Sequence, residues 1–289
     1  MANKPLNILV GLDLSKMDAY LIDYIKTLNQ IFIVDKITFL HNIKLGELPK
    51  DLLSDERLQT IQRKIKNRLE RLVEDAELNF PYTVKVSMEN LSEIAFQHIG
   101  KKEHFDLLIV GNKQELQGNG ALAYKLLRLF PSPVMAVPET FKTPIKTLVN
   151  AITFSKYTKA VLNWAERFTS KDENLPIKQL SVNVSKLYYY SLMTHKEAEK
   201  AIQEDISQKR KKWEKDFQAY GEMEIIQAEE KSIPTTLLSY AKQKNAEIII
   251  LGIKSNSMIR DLMIGSVANE LFARASDMVL LFVKSKNKS

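Results

Sequence analysis

Short apolar runs alternate with helical stripes from one end of the chain to the other. In the first half the runs Leu6 to Leu12, Lys36 to His41, Tyr82 to Glu89, Asp106 to Val110 and Val134 to Val137 read as strands. Between them the period changes. A helix is predicted from Ser15 to about Asn29 on Ala19, Ile22 and Ile25. A longer one, Asp51 to Asn79, carries Leu58, Ile61, Ile65, Leu69, Leu72 and Ala76 three or four residues apart, which is one apolar stripe. Ser92 is a candidate cap for a helix reaching Lys102, and a short helix is predicted from Gly120-Ala121. Residues 138 to 146, PETFKTPIK, hold two prolines and no periodicity, and read as a linker.

The second half repeats that order. Strands are predicted at Lys146 to Ile152, Lys178 to Val184, Met223 to Ala228, Ile248 to Leu251 and Met278 to Val283. Helices are predicted from Ser155 to Thr169, Thr194 to Tyr220, Ile233 to Asn245, and after Gly265-Ser266. The halves also match residue by residue: VGLDLS at 10–15 lies over NAITFS at 150–155, FDLLIVGNK at 105–113 over AEIIILGIK at 246–254, and PVMAV at 133–137 over MVLLF at 278–282. A repeat of roughly 140 residues is a duplicated domain rather than a solenoid. Strands alternating with helices predict an α/β chain of two tandem doubly wound domains, 1–140 and 145–285. Each is expected to be a mostly parallel five-stranded sheet with helices on both faces and ligands at the strands' carboxyl ends.

Composition narrows the chemistry. The chain has 289 residues and no cysteine, which removes disulfides, thiolate nucleophiles and cysteine metal sites. The net charge is +7; 19 basic and 18 acidic residues precede residue 144 and 23 and 17 follow, so the excess is +1 in the first half and +6 in the second. The basic run 209–212 sits among Glu204, Asp205, Glu214 and Asp216, a solvated helix face rather than a nucleic-acid footprint. No stretch has the apolar length of a membrane span, and the first residues lack a signal-peptide pattern, so the expectation is a cytoplasmic protein.

The candidate chemistry lies in residues 247–283. An apolar run ends on Gly252; two residues separate it from Ser255, and nine more separate Ser255 from Gly265-Ser266, which opens a helix. Glycine after a strand allows a sharp turn and close backbone approach. Gly-Ser at a helix start presents free N–H groups, a hydroxyl and the positive helix end, all of which favour phosphate. The spacing resembles the ATP-binding signature of the universal stress protein family, Gly-x2-Gly-x9-Gly-Ser/Thr, with Ser255 at the second glycine. The resemblance spans essentially the whole chain and implies a tandem member with an adenine nucleotide alpha hydrolase-like fold.

In that family an aspartate ending strand one meets the nucleoside, a strand-two residue flanks the adenine, and the glycine loop holds the phosphates. Carried over, the second half's nucleotide site comprises Ala151, Thr153, Val182, Gly252, Lys254, Ser255, Gly265, Ser266 and Val267, with Arg260 beside the loop. The first half's site comprises Gly11, Asp13, Gly111, Gln114, Gly120 and Ala121. The halves divide the signature. The first keeps Asp13, but its loop is four residues shorter, with Gln114 for a glycine and Ala121 for the hydroxyl residue. The second keeps the loop spacing but has Thr153 in place of the aspartate.

The resemblance implies a non-catalytic stress-response or regulatory protein, with ATP and Mg²⁺ as the ligand of the second half. The alternative is an interaction protein with no cofactor, both sites having decayed; a slow ATPase is a third reading. No residue is assigned a catalytic or metal-binding role, because His41, His98, His104 and His195 have no metal-ligand spacing. Tyr188, Tyr189 and Tyr190 form a loop of aromatics expected to pack on their own domain. The resemblance further implies pairing of the two domains through their fifth strands, with a homodimer or other protein partners open, and no nucleic acid or membrane partner.

Overall fold

The computed structural model describes residues 4–117, 121–168, 176–187, 192–253, 265–274 and 277–284. The first half runs β1 (Leu6–Leu12), α1 (Met17–Asn29), β2 (Val34–Ile43), α2 (Asp55–Glu74), β3 (Tyr82–Met88), α3 (Ser92–Lys102), β4 (Leu107–Gly111), α4 (Ala121–Leu129) and β5 (Val134–Val137). The second runs β6 (Thr147–Ala151), α5 (Thr158–Ala165), β7 (Lys178–Ser185), α6 (His195–Phe217), β8 (Met223–Gln227), α7 (Ile233–Gln243), β9 (Ile248–Ile253), α8 (Ser266–Arg274) and β10 (Val279–Lys284).

The fold is α/β with a mostly parallel sheet. The two five-stranded arrays join into a single ten-stranded sheet, ordered β3-β2-β1-β4-β5-β10-β9-β6-β7-β8. Every recorded pairing within a half is parallel. The junction is antiparallel, with Ala136 opposite Leu280 and Val134 opposite Phe282. That reversal fixes the geometry of everything below: the carboxyl ends of one half's strands lie beside the amino ends of the other's.

Period-two alternation divides the strand side chains between two cores. Ile8 and Val10 of β1, and Leu281 and Val283 of β10, pack with Leu21, Leu69, Val161 and Trp213, so α1, α2, α5 and α6 cover one face. Leu9, Leu280 and Phe282 pack with Phe96, Leu126, Leu237 and Leu271, so α3, α4, α7 and α8 cover the other. Each fully buried aliphatic side chain of this kind contributes about 1.5–3 kcal/mol.

Some element ends depart from the sequence pattern. The predicted start of the long first-half helix, Asp51, falls in a 3₁₀ turn, Lys50–Leu52, and α2 begins at Asp55. It stops at Glu74 because Glu77 adopts φ 51°, although Ala76 and Leu78 continue to pack on the core. Ser92 is not a cap but the first residue of α3; Leu91 holds the cap position, and the Ser92 hydroxyl accepts from Asn42 Nδ2 at 3.2 Å. Thr194 caps α6 reciprocally with Glu197, as Thr-x-x-Glu spacing favours.

Candidate functional site

The crevice of interest lies at the carboxyl ends of β1 and β4 in the first half and of β6 and β9 in the second. Both halves build the strand-to-helix turn beside it in the same way. Leu14 and Phe154 adopt φ 65° and 52°, a left-handed conformation uncommon without glycine. Ser15 and Ser155 accept the N–H groups of Met17 and Tyr157 at 3.1 and 3.2 Å, closing the turn just before each helix. On strand two, His41 Nδ1 bonds Leu12 O at 3.0 Å; in the second half Asn183 Nδ2 donates to Ile152 O at 2.7 Å. His41 is therefore a strap between strands. Burial holds its ring below the usual histidine range, which favours the neutral form.

The first half's crevice is filled by its own carboxylates. Asp13 Oδ2 lies 2.6 Å from Lys113 Nζ, and its Oδ1 accepts Ser15 N–H at 3.0 Å. Burial works to raise the Asp13 pKa, but these bonds together keep it lowered. Asp18, 2% exposed, accepts the N–H groups of Asp13 and Leu14, each at 2.9 Å. Its burial outweighs those bonds and pushes the carboxyl up to about 6. Beyond β4, Glu139 accepts from the backbone N–H groups of Gln114, Glu115 and Leu116 at 3.0, 2.7 and 2.7 Å. Converging backbone N–H groups form an anion-binding concavity. Here the anion is internal: Glu139 fills the concavity formed by the loop at Gln114. Gly11 packs against Phe96, and Ala121 begins α4; Gly120 lies outside the described residues.

The second half lacks those carboxylates. Thr153 stands for Asp13, and its hydroxyl lies 2.9 Å from that of Ser155. Thr158 stands for Asp18; its Oγ1 is buried with no hydrogen-bond partner in this structure. The register that pairs Gly111 with Val137 pairs Gly252 with Val283, so the sequence counterpart of Glu139 is Ser285, and no carboxylate follows it. Ala151 pairs with both Val182 and Leu251, which brings these residues together at the ends of β6, β7 and β9. Ser266 starts α8, Val267 packs on the adjoining core, and Gly265 is exposed. Lys254, Ser255, Arg260 and Tyr188 to Tyr190 lie outside the described residues.

The glycines of the signature separate into two kinds. A Cβ on Gly252 would come within 2.4 Å of Tyr157 Cβ, and one on Gly111 within 2.5 Å of Met17 Cγ. Met17 and Tyr157 occupy matching places at the start of α1 and α5, so both strand-end glycines allow the helix to pack closely on the strand. A Cβ on Gly265 meets nothing within 4 Å among the described residues, so packing gives no reason for that glycine. Sequence reasoning missed Glu139, Asp18 and Tyr157. Glu139 is 25 residues from its partner Gln114, and no local spacing signals that contact.

Among the described residues no helix is long and apolar enough to cross a membrane, and no group of three or more His, Asp or Glu could hold a metal ion. No curated protein matches the chain. A universal stress protein from Archaeoglobus fulgidus DSM 4304 has a similar fold at 17% identity, with a TM-score of 0.66 over 96% of this chain and 98% of that one. A functionally unknown protein from Pseudomonas aeruginosa PAO1 is similar at 13% identity and TM-score 0.66, over 98% of this chain and 94% of its own. The model of the universal stress protein family matches residues 144–283, the half that keeps the full loop spacing. Residues 144–283 are therefore a domain of the universal stress protein family, and the first half repeats its strand order within the same ten-stranded sheet.

Proposed function

We propose that the protein is a non-catalytic, nucleotide-linked regulatory protein that binds ATP, with Mg²⁺, in the second half's crevice and leaves the first half's crevice empty of nucleotide. The observation that carries this reading is the placement of carboxylates. In the first half Asp13 neutralises Lys113 and Glu139 fills the backbone concavity of the loop. In the second half their counterparts are Thr153 and Ser285, while the lysine is kept as Lys254. A triphosphate would therefore meet an occupied, anionic site in one half and, in the other, a helix start whose sequence keeps the lysine and lacks both carboxylates. Lys254, Ser255, Gly265 and Ser266 would hold the phosphates; Ala151, Thr153 and Val182 would border the nucleoside. Without Asp13's counterpart the ribose contact is weaker, and the Mg²⁺ would travel on the phosphates.

Two features argue for binding without turnover. The Thr153 and Ser155 hydroxyls bond each other rather than a base. In the first half Asp13 is held by Lys113, and Asp18 is buried and accepts backbone N–H groups, so both carboxylates are engaged within the protein. Calorimetric titration with ATP and Mg²⁺ tests the proposal. Saturable binding is expected, weakened at least about tenfold by Gly265→Asp, which sets a carboxylate against the phosphates. No heat of binding at millimolar nucleotide, or unchanged affinity in that variant, contradicts it and leaves the duplicated sheet as an interaction scaffold.

A further inference from the structure

The antiparallel junction creates a second candidate site, away from both glycine loops. It places the carboxyl end of β10 against the amino ends of β4 and β5, and α5 of the second half lies alongside. A cavity of about 1140 Å³ opens at this seam. Its apolar wall includes Phe105, Phe130, Trp164 and Val283. Five cations line it, Lys4, Lys156, Lys159, Arg167 and Lys284, against one carboxylate, Asp106.

That carboxylate is already engaged. Asp106 accepts Asn7 N–H at 3.0 Å, and lies 3.7 Å from Lys4 Nζ and 3.6 Å from His104 Nε2. Lys159 has no ion pair among the described residues. Arg167 lies over the Trp164 ring at 4.9 Å and donates to Lys4 O at 3.3 Å, so its guanidinium is already oriented at the apolar wall. Lys284 is 8% exposed, and its ammonium donates to Phe130 O with no carboxylate beside it among the described residues. Burial without a counter-ion pushes its pKa down to about 8. A buried cation with only a carbonyl partner costs stability, and an entering anion would offset that cost.

We propose that this seam cavity binds an amphipathic small-molecule anion, its phosphate or carboxylate head held by Lys159, Arg167 and Lys284 and its apolar body lying on Trp164, Phe105 and Phe130. Depth, an apolar wall and a few convergent polar groups are the ordinary make-up of a small-molecule site. Both halves of the chain contribute, so the ligand would bridge the junction. The site stands independently of the nucleotide reading.

Calorimetry on the full chain tests it with four probes: 1-naphthyl phosphate, 1-naphthoate, inorganic phosphate and 1-naphthol. At least one amphipathic anion is expected to bind saturably, about tenfold or more tighter than inorganic phosphate or 1-naphthol. Binding of the phosphate alone places the ligand class among phosphate esters; binding of the naphthoate as well extends it to carboxylates. Lys284→Met and the surface change Lys159→Ala should each weaken binding by about tenfold. Gly265→Asp should leave it unchanged, which separates this cavity from the nucleotide crevice. Failure of both anions to bind at about 1 mM overturns the proposal. So does equal binding of inorganic phosphate or 1-naphthol, unaltered affinity in the Lys159→Ala chain, or loss of binding in the Gly265→Asp chain.

Discussion

At the scale of single residues, the strand-end glycines have a reason that the signature does not state. Gly252 faces Tyr157 Cβ, an atom fixed to the backbone, whereas Gly111 faces Met17 Cγ, which can swing aside. Gly252→Ala should therefore destabilise the protein by about 1–3 kcal/mol and Gly111→Ala by less, read as the difference in urea midpoints. Asp18 gives a pH signature of opposite sign to the usual carboxylate. Its folded pKa, about 6, lies above its ordinary 3.8, so the folded state holds the proton more tightly. The stability that this group contributes is complete below 3.8 and is lost as pH rises through 6, a loss of about 3 kcal/mol. Asp18→Asn removes the titration. The stability difference between variant and parent should shift in the variant's favour by about that amount between about pH 4 and pH 7. A pH-independent difference contradicts the burial argument.

At the scale of elements, most of the fold was legible and the site only in part. The strands could be read because apolar runs at sheet period are bounded by glycine, proline and polar turns. The duplication was legible because VGLDLS and NAITFS, or FDLLIVGNK and AEIIILGIK, keep the same order of apolar and turn residues. The start of α2 was not, since residues 51–54 add polar and apolar positions ahead of the helical stripe, whereas Lys50–Leu52 forms a 3₁₀ turn. Glu139 was invisible because a carboxylate in a linker has no local mark of the loop it will fill. Its three bonds to the loop predict that Glu139→Ala costs about 1 kcal/mol, a value reduced by the loop's partial exposure. Thermal unfolding would show the loss, and ATP affinity should be unaffected. Enhanced ATP binding in that variant would mean that the first half's concavity accepts phosphate once it is emptied.

At the scale of the whole molecule, the duplicated halves have diverged by moving charge rather than by changing fold. The first half sets Asp13 against Lys113 and Glu139 against the backbone N–H groups of its loop. The second has Thr153 and Ser285 at the corresponding places, and at the seam Lys284 is buried with no carboxylate among the described residues beside it. Lys284 should then be a liability in the unliganded protein. Its folded pKa lies below its ordinary 10.5, so the unfolded chain holds the proton more tightly; stability lost below about 8 is regained as pH rises toward 10.5. Lys284→Met should accordingly raise the melting temperature near neutral pH, by several degrees for a gain of about 1–2 kcal/mol. A lowered melting temperature would mean that the bond to Phe130 O outweighs the cost of the buried charge.

The division of labour between the halves is tested most directly by counting nucleotides. Equilibrium dialysis with labelled ATP and Mg²⁺ at saturation should give close to one bound ATP per chain, lost in the Gly265→Asp variant and kept in the Glu139→Ala variant. Two nucleotides per chain, or none, would contradict the account.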